Sequence, residues 1–410
     1  MNIGVFTNML CNGGTERVIA KLSCIWTALH HNVVFFTAAS PHENEFPHQC
    51  IARELVGVEF YLMDDIKKMQ DKYALDIIVV NGGWNNPSIV PLLGWFKELG
   101  VKTMVILHHA MNNWAFSGGN AGDFDKNNLF EHLDCLVCVD KIQALWWSRR
   151  FSNVFYIPNP VAIAENSSVC ERSVRSNALV WVGRASDWGK RVELAIEAFK
   201  LIRAKVPDAT LSIIGLKPKG KLVELPGLEY VGLVQDTRPY LEMAAVNLVT
   251  TLWEVTVPQV VLEAGAVALP TVAMDLPVLK VHGQCGSDGI GGLILAKDVK
   301  DMAEKAVSLL KNKDRRLTLG AAAKKDVEKR ADLKVVGTRW AGLFNAIVKN
   351  RIADYAKEIK GEYETMDVAN ALIDEIQRSE KFIVETQLPA IQRIRRWKGL
   401  LAALKSRLGL

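Results

Sequence analysis

Short apolar runs alternate with amphipathic stretches through the first 160 residues. Asn2–Thr7, Val33–Thr37, Asp76–Val80, Lys102–Leu107, Cys135–Val139 and Val154–Ile157 are rich in Val, Ile and Leu and read as strands. Thr15–Leu29, Ile66–Lys72, Ser88–Leu99 and Ile142–Phe151 lie between them and carry the spacing of helices. Strands that are apolar at every position, rather than at every second one, are buried on both faces. That predicts a parallel sheet covered by helices. Pro158-Asn159-Pro160 then interrupts regular structure, and the polar stretch from Ala162 to Asn177 reads as a linker. The alternation restarts with strands expected at Ala178–Val182, Thr210–Ile214, Leu228–Val231, Asn247–Thr250 and Thr271–Met274. Helices are expected at Val192–Ala204, Thr237–Met243, Pro258–Val267 and Lys300–Leu310. The pattern predicts an α/β chain of two Rossmann-like, doubly wound domains, residues 1–161 and 178–345, joined by a linker at 162–177. A helical extension, 346–410, follows. Ligands of such sheets bind outside the carboxyl ends of the strands, so a cleft lined by both domains is the expected site.

Composition narrows the class. The 410 residues are 49% hydrophobic and 23% charged, enough for two cores and unlike a disordered chain. A net charge of +5 is too small to argue for nucleic acid, and it is unevenly placed. Residues 351–388 hold nine acidic and five basic side chains, whereas 390–410 hold six basic and no acidic ones. In that tail Ile391, Ile394, Trp397, Leu400, Leu401, Leu404 and Leu408 gather on one helical face. Arg395, Arg396, Lys398, Lys405 and Arg407 lie mostly elsewhere, with Arg393 inside the apolar arc. A basic helix with Trp and Leu opposite fits an anionic membrane surface, with 389–410 as the anchor; packing on protein is the alternative.

The first residues carry neither a basic region nor a long apolar run, so no signal peptide is expected, and no apolar stretch approaches the ~20 residues of a span. Seven scattered cysteines, with Cys24, Cys135 and Cys138 in apolar stretches, suggest mostly buried free thiols in a reducing, cytoplasmic setting. Cys135-x-x-Cys138 lies in a strand-like run, where side chains three apart point to opposite faces, so a metal knuckle is not expected there.

Three segments carry candidate chemistry. Asn12-Gly13-Gly14-Thr15-Glu16-Arg17 follows the first strand and opens a helix. Its glycines, Gly13 and Gly14, allow close backbone approach, and the helix start favours an anion. Gly183-Arg184 ends a strand and is followed six residues on by Lys190, two cations able to neutralise a diphosphate without metal. The third runs from Thr250 to Ala264. It holds Glu254 in a loop and Pro258 suited to a first helical position. The amides near Pro258, Gln259 and Val260 could bind an anion, and Glu263 one turn deeper could hold the vicinal hydroxyls of a ribose. Each segment alone also fits an ordinary turn.

Taken in order, these segments resemble glycosyltransferase family 4, the retaining GT-B enzymes. Gly13-Gly14-Thr15-Glu16-Arg17 is similar to the family's Gly-Gly-x-Glu-Arg opening. Tyr156-Ile157-Pro158-Asn159-Pro160-Val161 is similar to its interdomain Ile-Pro-Asn-x-Val. Val182-Gly183-Arg184 with Lys190 resembles its Gly-Arg…Lys signature, and Glu254…Glu263-Ala264 its paired glutamates. The resemblance runs from about residue 1 to 345. Two spacings depart from the family pattern. Eight residues separate the glutamates where the family has seven, and the Arg-to-Lys interval is one longer. The family's Gly before Leu-Pro is here Ala268.

The resemblance implies a GT-B fold and transfer of a sugar, with retention, from a nucleotide-diphosphate sugar to a glycan or lipid-linked acceptor, in the manner of cell-surface polysaccharide synthesis. It implies that Arg184 and Lys190 face the diphosphate, Glu263 the ribose and Glu254 the sugar hydroxyls or the acceptor side. One of His108 and His109, at the end of Lys102–Leu107, would face the donor sugar. No cofactor or metal is expected. Asp123-Phe124-Asp125 imitates a metal-binding Asp-x-Asp but sits in a Gly/Asn-rich loop rather than after a strand. A sugar-nucleotide 2-epimerase and a degenerate GT-B binding module remain the alternatives.

Overall fold

The computed structural model describes residues 1–7, 14–37, 59–62, 66–82, 89–108, 129–163, 177–218, 222–281 and 290–385. The chain forms two compact units, Met1–Pro160 with the chain from Val336 onward, and Val161–Val335.

The first unit is built on seven strands: β1 (Asn2–Thr7), β2 (Asn32–Thr37), β3 (Glu59–Leu62), β4 (Ile77–Asn81), β5 (Lys102–Leu107), β6 (Cys135–Cys138) and β7 (Val154–Tyr156). Their order is β3-β2-β1-β4-β5-β6-β7, and every neighbouring pair is parallel. All five residues of β4 are buried, as the unbroken apolar run requires of a sheet covered on both faces. β3 was not expected: Glu59-Phe60-Tyr61-Leu62 is too short and mixed to stand out in the pattern.

The second unit has six parallel strands: β8 (Ala178–Val182), β9 (Thr210–Ile214), β10 (Leu228–Gly232), β11 (Val246–Val249), β12 (Thr271–Met274) and β13 (Leu293–Ala296). They run in the order β10-β9-β8-β11-β12-β13. β13 is a second strand absent from the sequence expectation. In both sheets the strand order reverses beside the first strand, between β1 and β4 and between β8 and β11. Such a switch point is where open α/β sheets bind ligands.

The chain beyond residue 312 departs most from expectation. Lys313–Arg330 and Leu333–Val348 are helices, followed by Ile352–Ile359 and Met366–Glu385. The second unit ends at Val335 rather than 345, and the following helices belong to the first unit rather than to a separate extension. The cause is aromatic packing. Trp340 and Phe344 meet Trp26 of helix Gly14–Ala28 at ring-centroid distances of 4.9 and 5.7 Å. Further on, the buried Tyr363 hydroxyl donates to the carbonyl of Val154 in β7 at 3.2 Å, and burial pushes its pKa up. Cys135 and Cys138 are buried free thiols whose pKa values burial raises, so neither is a ready nucleophile. Cys24 is exposed, against the expectation of burial. Among the described residues no helix is long and apolar enough to cross a membrane.

Candidate active site

The switch point of the second sheet gathers most of the expected residues. Gly183 follows β8 and donates its N–H to the Ile214 carbonyl of β9 at 2.9 Å. The two strand ends lie so close that a Cβ on Gly215, whose φ is +120°, would stand 2.0 Å from the Gly183 oxygen. Only glycine fits there. Beyond Gly183 the chain turns through Trp188–Lys190, a single 3-10 turn capped by Asp187, whose Oδ1 accepts the Gly189 N–H at 2.9 Å. The other Asp187 oxygen takes Arg184 Nη2 at 3.0 Å. Arg184 remains 58% exposed, so its guanidinium is held in place with most of its surface in solvent.

Lys190 meets Glu254 in a 2.5 Å ion pair, with the two side chains 30% and 15% exposed. The pair is fixed from behind. Trp181 Nε1 donates to Thr250 Oγ1 at 2.9 Å, and that hydroxyl donates to the Lys190 carbonyl at 2.9 Å. The Leu252 N–H donates to the Gly189 carbonyl, also at 2.9 Å. The loop after β11 therefore grips the turn after β8, and Glu254 reaches the cation despite the extra residue between the glutamates.

Helix Gln259–Ala266 starts one residue later than expected, with Pro258 as its cap in extended geometry (φ −53°, ψ 140°). Val261 and Leu262 donate to the Pro258 carbonyl. Pro258 has no N–H, so the first backbone N–H groups of the helix are those of Gln259 and Val260. Glu263 is on the second turn, as expected. Its Oε2 accepts from Thr237 Oγ1 at 3.1 Å, which orients the carboxylate. After the helix, Ala268 adopts φ +57°, the left-handed region. That geometry accounts for the glycine the family carries there.

In the first unit, His108 lies just past β5 and is 8% exposed. Its Nε2 is 2.9 Å from Oδ1 of Asn81, the last residue of β4, which is 2% exposed. Gly14 is the first residue of helix Gly14–Ala28, and a Cβ there would meet nothing within 4 Å. Neighbouring protein does not demand glycine at that position. Gly13, His109, Asp123-Phe124-Asp125 and residues 386–410 lie outside the described residues. Among those described, no group of three or more His, Cys, Asp or Glu could hold a metal ion.

Sequence reasoning missed the polar residues that hold the expected ones: Asp187, Thr237, Thr250 and Asn81. Asp187 and Thr250 sit within the quoted motifs. Thr237 and Asn81 gave no signal beyond a polar residue at an element's end.

Two parallel sheets, each with its polar residues at the switch point, define a GT-B fold, and comparison with known proteins agrees. Residues 176–312 match the family of glycosyl transferases group 1, which confirms that resemblance over most of the second unit. Among solved structures, Anabaena HepE in complex with UDP superposes with a TM-score of 0.68 at 13% identity, covering 84% of this chain and 100% of that one. A mutant of S. aureus TarM, in a complex with UDP, fondaparinux and α-GlcNAc-glycerol, gives 0.66 at 12%, covering 84% and 99%. The sucrose-phosphate synthase of Thermosynechococcus elongatus gives 0.63 at 15%, covering 85% and 100%. At such identities the likeness is one of fold. No curated protein matches the chain in sequence.

Proposed function

We propose that this protein is a retaining glycosyltransferase that moves a sugar from a nucleotide-diphosphate sugar to a hydroxyl of a glycan or lipid-linked acceptor. The observation that carries the reading is the Lys190–Glu254 ion pair beside Arg184, at the switch point of the sheet that matches glycosyl transferases group 1. When the glycosidic bond breaks, negative charge collects on the leaving diphosphate. Arg184 and Lys190 would neutralise it, and each such contact is worth ~3–4 kcal/mol, or ~10²–10³ in rate. Two cations can do this without a divalent metal. The Gln259 and Val260 amides add a third source of positive potential. Glu263, held by Thr237, would accept the ribose hydroxyls. Glu254 would shift from Lys190 toward sugar hydroxyls as the diphosphate takes its place.

The acceptor hydroxyl attacks the anomeric carbon on the face the diphosphate leaves, and its proton passes to a departing phosphate oxygen. Retention follows from that shared face. The complexes of HepE and TarM with UDP favour a uridine nucleotide as the first donor to try. A role in cell-surface polysaccharide synthesis fits a lipid-linked acceptor, with the basic stretch 389–410 resting on an anionic membrane. Sedimentation with anionic liposomes tests that stretch: a chain ending at Gln387 should stay in the supernatant while the full chain pellets, and equal sedimentation removes the anchor.

Incubation with a panel of nucleotide sugars and acceptors tests the activity. A transferase releases nucleoside diphosphate only when acceptor is present, with the anomeric configuration kept. An epimerase would alter the sugar without acceptor, and a binding module would do neither.

A further inference from the structure

The carboxyl edge of the first sheet holds a polar pair that the charged site of the second unit leaves unused. Asn81 ends β4 and His108 follows β5. These strands run side by side, with Asn81 in register with Ile106, so the two side chains leave the sheet next to each other. β4 is a strand of the switch point, where this class of sheet receives ligands. Both side chains are more than nine-tenths buried, and His108 Nε2 to Asn81 Oδ1 is 2.9 Å.

One part of the arrangement is unsatisfied. The Asn81 amide nitrogen, Nδ2, is buried and meets no hydrogen-bond partner among the described residues. A buried amide donor left unmade costs about 1–3 kcal/mol. Leucine at this position, flush with the all-apolar strand Ile77-Ile78-Val79-Val80 that precedes it, would carry no such cost. A polar residue with half its hydrogen bonds missing, at the place where the fold takes ligands, is explained if a ligand completes it.

We propose that Asn81 is a positioning and ligand-contact residue. Its carboxamide oxygen holds His108 with the proton on Nε2, and its amide N–H groups are reserved for an uncharged oxygen of a sugar. The first role follows from the inventory of the two groups. An amide oxygen only accepts, so the ring nitrogen facing it carries the hydrogen, and a neutral imidazole then has its acceptor at Nδ1. The second follows from charge. Neither side chain of the pair is a fixed cation, so nothing in it favours phosphate over a hydroxyl, whereas Arg184 and Lys190 in the other unit suit phosphate. The inference rests on the transferase reading for its ligand class, and on the Asn81–His108 geometry alone for the tautomer.

The test has two arms, so that failure of one reading does not hide the other. In the first, ¹⁵N-histidine spectra of the full-length protein, with His108 assigned by its loss in His108→Gln, report which ring nitrogen is protonated. The expected result is protonation at Nε2 in the wild type and in Asn81→Asp, which keeps an acceptor, and loss of that single form in Asn81→Leu. Protonation at Nδ1 in the wild type, or an unchanged signal in Asn81→Leu, overturns the positioning role. This arm needs no activity, so it stands even if no nucleotide sugar is turned over.

In the second arm, turnover of the nucleotide sugar found active in the panel is compared across the wild type, Asn81→Asp and Asn81→Leu. Thermal melting confirms that each is folded. Both variants should lose about tenfold or more in kcat/KM, the scale of one lost hydrogen bond to a buried group, while their affinity for UDP, which carries no sugar to transfer, stays within twofold of wild type. Asn81→Asp retaining full kcat/KM would overturn the ligand contact. Equal losses for UDP and for the nucleotide sugar would overturn it too, by marking Asn81 as structural.

Discussion

The two switch points are built from opposite chemistry. That of the second unit is charged and braced. Arg184 rests on Asp187, Lys190 on Glu254, and the turn bearing them is tied to the β11 loop through Thr250 and the Leu252 N–H. That of the first unit is buried, an imidazole on a carboxamide. Carbon-bound hydroxyls and a diphosphate differ in the same way. One needs directed neutral hydrogen bonds; the other needs positive charge that does not rearrange as the leaving group departs. The same topology thus presents two edges of different chemistry, and on the proposed reading their selectivity would lie in two or three side chains at strand ends.

The sharpest way to break this contrast is to remove one charge. Lys190→Ala should lower turnover by ~10²–10³ and weaken nucleoside diphosphate binding, while His108→Gln leaves that binding within about twofold. Titration calorimetry with UDP reads both, and a loss shared equally by the two variants would erase the distinction between the units. Raising the salt concentration should weaken diphosphate binding for the same reason, because Arg184 is largely in solvent and open to screening.

A smaller effect is expected at Glu263. Glu263→Ala should weaken UDP about tenfold, in line with the loss of a hydrogen bond to a charged group. Its melting temperature should stay close to wild type, since Glu263 is half-buried on its helix rather than part of the apolar core. A variant that melts several degrees lower yet binds UDP normally would make Glu263 structural.

Two further substitutions test whether the packing behind the charged edge matters. Gly320→Ala would place a Cβ 2.0 Å from the Ala268 carbonyl oxygen. The contact is with backbone, so it should cost about 1–3 kcal/mol in chemical denaturation. Ala268→Gly, relieving a left-handed alanine at φ +57°, should instead gain up to about 1 kcal/mol. Destabilisation by Ala268→Gly would mean that the methyl group packs better than its backbone conformation costs.

Most of the second unit's site was legible because its chemistry is local. Gly183, Arg184 and Lys190 fall within eight residues, and charged residues after an apolar strand announce themselves. Glu254 was harder, since its spacing from Glu263 is one too long. The structure brings it to Lys190, a contact 64 residues distant in sequence. Asn81 was invisible for the same reason, because its partner is 27 residues away and a lone Asn at a strand end reads as a turn residue. β3 and β13 were missed because four-residue strands carry too little periodicity. The assignment of the last helices failed on a tertiary contact: nothing in Leu333–Val348 says that Trp340 will seek Trp26.

The account stands most directly on metal-free binding of a nucleoside diphosphate by the second unit's cations. Calorimetric titration of UDP, GDP and ADP into the full-length protein in EDTA, beside Lys190→Ala, measures it. The account predicts that at least one binds the wild type without metal, and that Lys190→Ala weakens it by about 100-fold, the scale of one lost charge-assisted contact. Binding that appears only on adding magnesium or manganese, or that Lys190→Ala leaves unchanged, would contradict it.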